Sequence, residues 1–174
     1  MANIQKFRNY QQEILRYLGQ IGQGALSDSE QETYSEMTNV LHSLESMNIA
    51  MRDSIFDVLS QMVEKKIQPS ETMLNLVGQL SHEVDKAMTH ALLSVIHQDA
   101  DSAYEVFASK QSIDHLLQEA LNHQARHLGS DEKRLVVFRY EMRMIEGFKQ
   151  LYSMSKRISR MYLSHNQNAS TELN

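Results

Sequence analysis

Residues 37–62, which read MTNVLHSLESMNIAMRDSIFDVLSQM, carry the pattern that decides the fold of this chain. Apolar residues recur along this stretch at alternating steps of four and three, which is typical of a helix packed lengthwise in a left-handed bundle. The positions of this seam are Met37, Leu41, Leu44, Asn48, Met51, Ile55, Val58 and Met62. Residues 73–91 repeat the pattern, and residues 138–158 carry apolar side chains at helical spacing. We therefore predict an all-α protein.

Local start and stop signals divide the chain into about five helices. Ser27 and Glu30 form a predicted capping box, and Pro69 takes the first position of the third helix. A glycine in residues 22–24 can end the first helix in the left-handed conformation. The predicted helices span about residues 4–21, 27–66, 69–97, 101–129 and 130–163, which together make one domain over residues 1–163. Residues 164–174 are polar and lack periodicity, which predicts a disordered tail.

The loops between the predicted helices are short. Because a short loop forces consecutive long helices to run in opposite directions, we predict an antiparallel, up-and-down bundle. The first two helices also resemble the last two, which indicates a weak internal two-fold repeat. In that alignment Leu41, Leu44 and Asn48 fall against Ile145, Phe148 and Tyr152.

Composition argues against several classes of protein. The chain has 174 residues with a single proline and 6 glycines, which is too few turn-forming residues for a β-rich fold. Its formal net charge of -5 gives no general attraction for nucleic-acid phosphates, so we expect no nucleic-acid partner. The absence of cysteine removes thiolate metal sites and thiol nucleophiles. No stretch approaches the roughly 20 apolar residues that span a bilayer, so we expect a soluble chain.

Asn48 is a candidate site residue because it interrupts the apolar seam. One interpretation is a ligand or partner site inside the bundle. The other is a buried amide that fixes the register of the helices, which is a common use of a single polar residue in such a seam. We favour the second interpretation.

Four residues of the fourth helix form the arrangement with the clearest metal-binding chemistry: His115, Glu119, His123 and His127. Residues four apart share a helix face, and zinc or iron accepts imidazole and carboxylate ligands. The stripe begins opposite the core face of its helix, however, where the supporting groups of a metal site are lacking. We therefore expect a solvated face without a metal, and a metal-binding bundle is the alternative from another class.

Two further sets of residues are candidates for binding a partner. Basic residues gather on the last helix at Lys149, Lys156, Arg157 and Arg160, where they either meet anionic lipid or an acidic partner, or complement the helix dipole. Four methionines either form the seam of a homodimer or fill an irregular core, and these are Met47, Met51, Met142 and Met144.

The remaining polar residues do not form a recognisable catalytic site. The acidic residues Glu83, Asp85, Asp114, Asp53 and Asp57 lack the Glu-x-x-His steps that accompany di-metal carboxylate sites in bundles. Neither a Gly-rich phosphate loop nor a nucleophile elbow is present in the sequence. We therefore expect that the protein is not an enzyme and has no cofactor.

Two stretches of the chain resemble a known family. Residues 10–53 contain YLG (17–19), LSDSE (26–30) and LESM (44–47), and residues 101–163 contain AYEV (103–106), SIDHL (112–116) and LYSMSKRI (151–158). Together these stretches cover most of the chain. They resemble the PhoU-like cytoplasmic domain that is attached to bacterial sodium/phosphate cotransporters.

The resemblance implies a helical domain at the inner, cytoplasmic face of the plasma membrane that regulates or stabilises phosphate transport through protein contacts. Its partner would be the membrane domain of the transporter, in the same chain or separate. A free-standing cytosolic PhoU-type regulator is the alternative. PhoU-like proteins can hold metal clusters on Glu-x-x-x-Asp repeats, but here Glu45 is followed by Ile49, and the equivalent place in the last helix holds Lys149 and Ser153. A cluster of the family type is therefore not expected.

Overall fold

Helices joined by short loops make up the described part of the chain, which is residues 2–127 and 132–172 of a computed structural model. They are α1 (Ala2–Ile21), α2 (Asp28–Ile49), α3 (Asp57–Glu64), α4 (Glu71–Ile96), α5 (Ala100–Ala108), α6 (Lys110–His127) and α7 (Glu132–Glu172). A π-helical segment, Ala50–Phe56, joins α2 to α3 without a break. The prediction of an all-α helical bundle is confirmed.

Hydrogen bonds between residues far apart in sequence show the direction of the last helix. Near the start of α7, the Tyr140 hydroxyl lies 2.7 Å from Lys65 Nζ, just after α3. Further along α7, an Arg157 guanidinium nitrogen lies 3.3 Å from the side-chain oxygen of Asn39 in α2. Helix α7 therefore runs antiparallel to α2 and α3, as an up-and-down bundle requires.

Helices α4 and α7 form the centre of the bundle. Helix α4 buries one face completely, at Met73, Leu80, Val84, Ala87 and Ala91. Steps of seven, four, three and four place these residues on one side of the helix, which confirms the pattern predicted over residues 73–91. The side chains that α7 adds to the core include Met144, Ile145, Phe148, Leu151, Tyr152 and Ile158. Burying a large apolar side chain contributes about 1.5–3 kcal/mol, so this pair of faces stabilises the whole bundle.

The π-helical segment shifts the buried face of the second predicted helix. A π turn holds about one residue more than an α turn, so the faces before and after the segment do not follow one α-helical pattern. After the segment, Val58 and Met62 are buried as predicted. Up to its first residue, the buried residues Met47 and Ala50 each precede a predicted seam position by one. The most buried positions of residues 44–51 are therefore shifted by one from the predicted seam, although Leu44 and Met51 still pack against the core, and Met37 is 55% exposed.

Helix α7 approaches the π-helical segment closely at Gly147. A Cβ added to this glycine would lie 2.6 Å from Ser54 Cβ and 3.0 Å from Ile55 Cδ1. Non-bonded carbon atoms prefer separations of about 3.5–4.0 Å, so a larger residue does not fit unless a helix moves. Gly147 is therefore a packing requirement of the two helices.

Side-chain caps start the second and fourth helices. The predicted capping box is confirmed: the Ser27 N–H donates to Glu30 Oε2 at 2.9 Å, and the Glu30 N–H donates to Ser27 Oγ at 3.4 Å. Ser70 caps α4, because its Oγ accepts from the Met73 N–H at 3.1 Å. Pro69 therefore precedes the cap, and the prediction that it is the first helical residue is wrong.

The ends of α3 and α4 use left-handed residues other than glycine. Lys66 and Gln98 each have a φ of 53°. This conformation lets the N–H of the next residue donate to a carbonyl in the last turn of the preceding helix. No glycine in residues 2–127 or 132–172 has a positive φ, so the prediction that a glycine closes α1 in this way is wrong. Gly22 instead lies against Tyr34, where an added Cβ would be 2.9 Å from the phenol oxygen.

The fourth predicted helix is divided into α5 and α6 at Ser109. The Ser109 N–H and hydroxyl both donate to the Glu105 carbonyl, at 3.1 and 3.0 Å, where α5 ends. The prediction of one continuous helix is wrong at this point. The predicted end of this helix at Gly129, and the start signals at Ser130 and Asp131, lie outside the described residues.

Helix α7 continues beyond Leu163, where the sequence predicts its end. It reaches Glu172, so the predicted tail at residues 164–174 is helical as far as it is described. Neither proline nor glycine interrupts this stretch, and extending an existing helix gains one hydrogen bond for each residue added. Polarity alone therefore did not end the helix.

Two other sequence predictions concern the whole chain. None of the described helices is long and apolar enough to cross a bilayer. The internal two-fold repeat stays a prediction. Of its aligned positions, Leu41 and Ile145 are both buried, whereas Leu44 and Asn48 are half-buried and Phe148 and Tyr152 are buried.

Candidate functional site

A groove of about 580 Å³ lies between α1, α2, the end of α4 and α7, and we call it the α1 groove. Its volume falls within the range of known ligand pockets. Glu36 is the acidic residue in a lining that is otherwise uncharged and mainly apolar. The apolar residues that form its walls include Ile14, Tyr17, Met37, Val40, Val95 and Met161. The groove therefore offers an apolar surface of the size that a helix or a small apolar molecule fills.

Helix α1 leaves several apolar side chains exposed to solvent. It packs against α2, and Leu18 is buried there. Tyr10, Ile14 and Tyr17 are 54%, 47% and 63% exposed. The steps of four and three place these three residues on one face of α1. Helix α1 therefore presents an apolar face that the described part of the chain does not cover.

The histidine stripe of α6 separates into two local pairs. His115 Nε2 lies 3.7 Å from Glu119 Oε1, and both side chains are exposed. His123 Nε2 lies 2.9 Å from Ser70 Oγ, and His127 Nδ1 lies 2.8 Å from the His123 carbonyl oxygen. Across residues 2–127 and 132–172, no group of three or more histidine or acidic residues is placed to hold one metal ion. The geometry gives the metal-binding alternative no support.

A buried polar cluster lies where α6, α7 and the start of α4 meet. The Gln124 amide donates to a carboxyl oxygen of Glu141, and both side chains are buried. Burial raises the pKa of Glu141, while the bond from Gln124 and the nearby charges of Arg134 and His127 oppose the rise. Burial also lowers the pKa of His123, and the neighbouring basic groups lower it further. The cluster ties three helices together at one end of the bundle.

The four basic residues of α7 do not form a single free strip. Lys149 pairs with Glu146 at 3.5 Å, and the Lys156 ammonium lies 4.5 Å from the ring centre of Tyr152. Arg157 bonds Asn39, and Arg160 is exposed. Three of the four therefore have a partner within the chain, and the prediction that they bind an external partner gains no support.

Asn48 and the four methionines differ in how deeply they are buried. Asn48 is half-buried, and its neighbour Met47 occupies the core position instead. Met47 and Met144 are buried, whereas Met51 and Met142 are half-buried. Met51 and Met142 pack against the core to which Met47 and Met144 belong, so the arrangement favours the core-filling alternative over a homodimer seam.

The acidic residues of the sequence mostly form local ion pairs. Asp53 lies 2.6 Å from Arg52, and this pair holds the pKa of Asp53 below its ordinary range. Glu83 lies 3.2 Å from Lys86, and Asp114 pairs with Lys110. These pairs connect neighbouring residues on the surface of single helices.

One polar network was missed by sequence reasoning. Tyr140 accepts from Lys65 at 2.7 Å and donates to Gln61 at 3.0 Å, and Gln61 donates to Asp57 at 2.8 Å. Arg143 extends the network, since it donates to the Asp53 carbonyl at 2.8 Å. The network connects α7 to α3 and the π-helical segment. These residues lie far apart in sequence, and no local spacing signals their contact.

Comparison with known proteins adds no relative: no protein-family model, curated protein or solved structure matches this chain.

Proposed function

We propose that this chain is a non-catalytic interaction domain that holds an apolar helix face of a partner protein in the α1 groove. The observation that carries the proposal is the exposed apolar face of α1, formed by Tyr10, Ile14 and Tyr17, beside that groove. Large exposed apolar surfaces with polar rims mark binding sites in soluble proteins. A groove between helices accepts the apolar face of an amphipathic helix.

The partner that we propose is the membrane domain of a sodium-dependent phosphate transporter, in the same chain or as a separate protein. This part of the proposal rests on the resemblance of residues 10–53 and 101–163 to the PhoU-like domains of sodium/phosphate cotransporters. A regulatory domain of that kind would act at the cytoplasmic face of the plasma membrane. A free-standing cytosolic regulator that binds the same transporter is the alternative.

The energy available from the groove sets the expected strength of binding. Covering a large apolar side chain contributes about 1.5–3 kcal/mol when it goes from full exposure to burial. Tyr17 and Met37 are 63% and 55% exposed, so a bound helix has more than half of each side chain left to cover. Replacing both with glutamate removes this contribution and places charge in the contact. We expect a loss of about 3 kcal/mol, which is about a hundredfold in affinity.

The first prediction tests this surface in cells. The double substitution Tyr17→Glu and Met37→Glu is expected to reproduce the effect that deletion of the whole domain has on sodium-dependent uptake of labelled phosphate. A photo-crosslinker at position 37 is expected to attach the domain to the transporter in intact membranes. Both positions are more than half exposed, so folding is expected to survive, and a melting curve checks this.

The matched control is Tyr104→Glu, because Tyr104 is 55% exposed on α5 and lies outside the α1 groove. It is expected to leave uptake unchanged. If deletion of the domain does not change phosphate uptake, the transport part of the proposal is wrong. If deletion matters but the double substitution does not, the α1 groove is not the binding surface.

A further inference from the structure

Helix α1 is held to the rest of the bundle along one edge. Of its described side chains, Gln11 and Leu18 are the buried ones, and they lie seven residues apart on one side of the helix. Among the described residues, no Cα atom of α1 lies within 8 Å of a Cα atom of α4 or α7. Helix α1 therefore packs against α2 and faces α4 and α7 only across the α1 groove.

The apolar stripe of α1 is wider than this buried edge. An α-helix turns by about 100° per residue. Ile14 therefore lies about 40° around the helix axis from Leu18, and Tyr17 lies about 100° from it in the same direction. All three residues line the α1 groove, but Ile14 and Tyr17 are exposed. The exposed half of the stripe thus forms one wall of the groove.

The opposite wall of the groove is apolar as well. Val95 of α4 and Met161 of α7 belong to it, and Val95 is 37% exposed. Bringing the two walls together removes apolar surface from water on both sides at once, which is favourable. Helix α1 is tied to the bundle through residues 22–27, so its effective concentration at the opposite wall is high. The chain therefore carries its own occupant for this groove.

The contact of α1 with α2 leaves one polar group without a partner. The side-chain nitrogen of Gln11 is buried and has no hydrogen-bond partner among the described residues. A buried donor of this kind loses its hydrogen bonds to water and gains none in return. Movement of α1 away from α2 at this point returns the amide to water. The unsatisfied amide therefore favours such a movement.

We propose that α1 is a strap that closes the α1 groove, by turning away from α2 and burying its exposed apolar face against Val95 and Met161. Residues 22–27, which include two glycines, are the hinge, since a few loop residues absorb a change of this kind. The closed form fills the groove that we assign to the partner helix, so α1 is an autoinhibitory element. This regulatory role rests on the function proposed above, whereas the closure itself does not.

The test of closure is disulfide formation in a chain that has no natural cysteine. Gln20→Cys and Val95→Cys place one thiol on α1 and one on α4. Gln20 is exposed and lies three residues after Tyr17, so the apolar face of α1 stays intact. A disulfide needs Cα atoms about 4.4–6.8 Å apart, whereas those of α1 and α4 are more than 8 Å apart in the structure. Mild oxidation of the dilute protein is expected to link the pair through the closed form.

Two further substitutions in this cysteine pair separate closure from undirected motion of α1. Ile14→Glu places a charge in the closed contact and is expected to slow disulfide formation about tenfold. The matched control is Leu15→Glu, because Ile14 and Leu15 are each 47% exposed but Leu15 does not line the groove. It is expected to leave the rate unchanged. Gln11→Met removes the unsatisfied amide and is expected to slow the reaction about fivefold.

A cysteine pair that stays reduced overturns the proposed closure. Equal rates for Ile14→Glu and Leu15→Glu also overturn it, because the link would then arise from undirected motion.

The regulatory role is tested by adding the photo-crosslinker at position 37 to the cysteine pair. Attachment to the transporter is expected to be lost in the oxidised domain and restored by reduction. If the oxidised domain still attaches, the autoinhibition is wrong and the closure stands. If the reduced domain does not attach either, the function proposed above is wrong and the autoinhibition fails with it, while the closure again stands.

Discussion

Replacing Gly147 with alanine is expected to lower the free energy of unfolding by about 2 kcal/mol. The added Cβ would lie 2.6 Å from Ser54 Cβ, an atom bonded directly to the backbone of the π-helical segment. A flexible side chain could rotate away, but here a helix must shift. Overpacking of this kind costs about 1–3 kcal/mol and at times more, and the better helix propensity of alanine returns up to about 1 kcal/mol. Urea unfolding followed by circular dichroism measures the net effect.

Gly19→Ala is the matched control, because Gly19 is also helical and exposed, and its added Cβ meets no described atom within 4 Å. It is expected to keep or slightly raise stability. Ser54→Gly removes the atom in the way, so the double variant Ser54→Gly with Gly147→Ala is expected to lose less than the sum of the two single changes. Equal effects of Gly147→Ala and Gly19→Ala would show that the helices do not approach as described.

The fold was predictable where local periodicity and core packing agree. Helix α4 is an example, because its apolar residues recur at helical steps and one face is buried as the sequence predicts. The π-helical segment was not predictable, since the sequence of residues 50–56 contains no proline or glycine that signals a change of helix type. The segment packs closely against Gly147, a residue far away in sequence, and local sequence patterns do not show such a contact.

The candidate site was less predictable than the fold. A list of apolar residues on α1 does not say which side of the helix stays open, and Ile14 and Leu18 look alike in the sequence although only Leu18 is buried. The groove depends on how α1 sits against α2, which the order of helices leaves undetermined. For the histidine stripe, regular spacing suggested a shared site that the structure does not form. The spacing placed four side chains on one helix face but could not show that His123 bonds Ser70.

The buried pair of Gln124 and Glu141 carries the second large expected effect. Gln124→Leu leaves the carboxyl group of Glu141 buried without its donor, and an unsatisfied buried polar group costs about 1–3 kcal/mol. Burial raises the pKa of Glu141 above its ordinary value of 4.5. The unfolded chain therefore ionises first as pH rises, and stability falls from pH 4.5 upward until the raised pKa is passed. We expect the loss in Gln124→Leu to grow over this range, because an ionised group needs the donor more than a neutral one.

Glu141→Gln isolates the contribution of this carboxyl group, because the amide keeps the shape and does not titrate. The control is needed since the lowered pKa of His123 has the opposite effect: protonation of the unfolded chain removes stability as pH falls below 6.5. Both proteins contain His123, so its contribution cancels when the unfolding free energy of Glu141→Gln is subtracted from that of the wild type. The difference is expected to decline as pH rises above 4.5 and then to level off. A difference that rises over this interval would mean that Glu141 is stabilised as a carboxylate, so that the neighbouring Arg134 and His127 outweigh its burial.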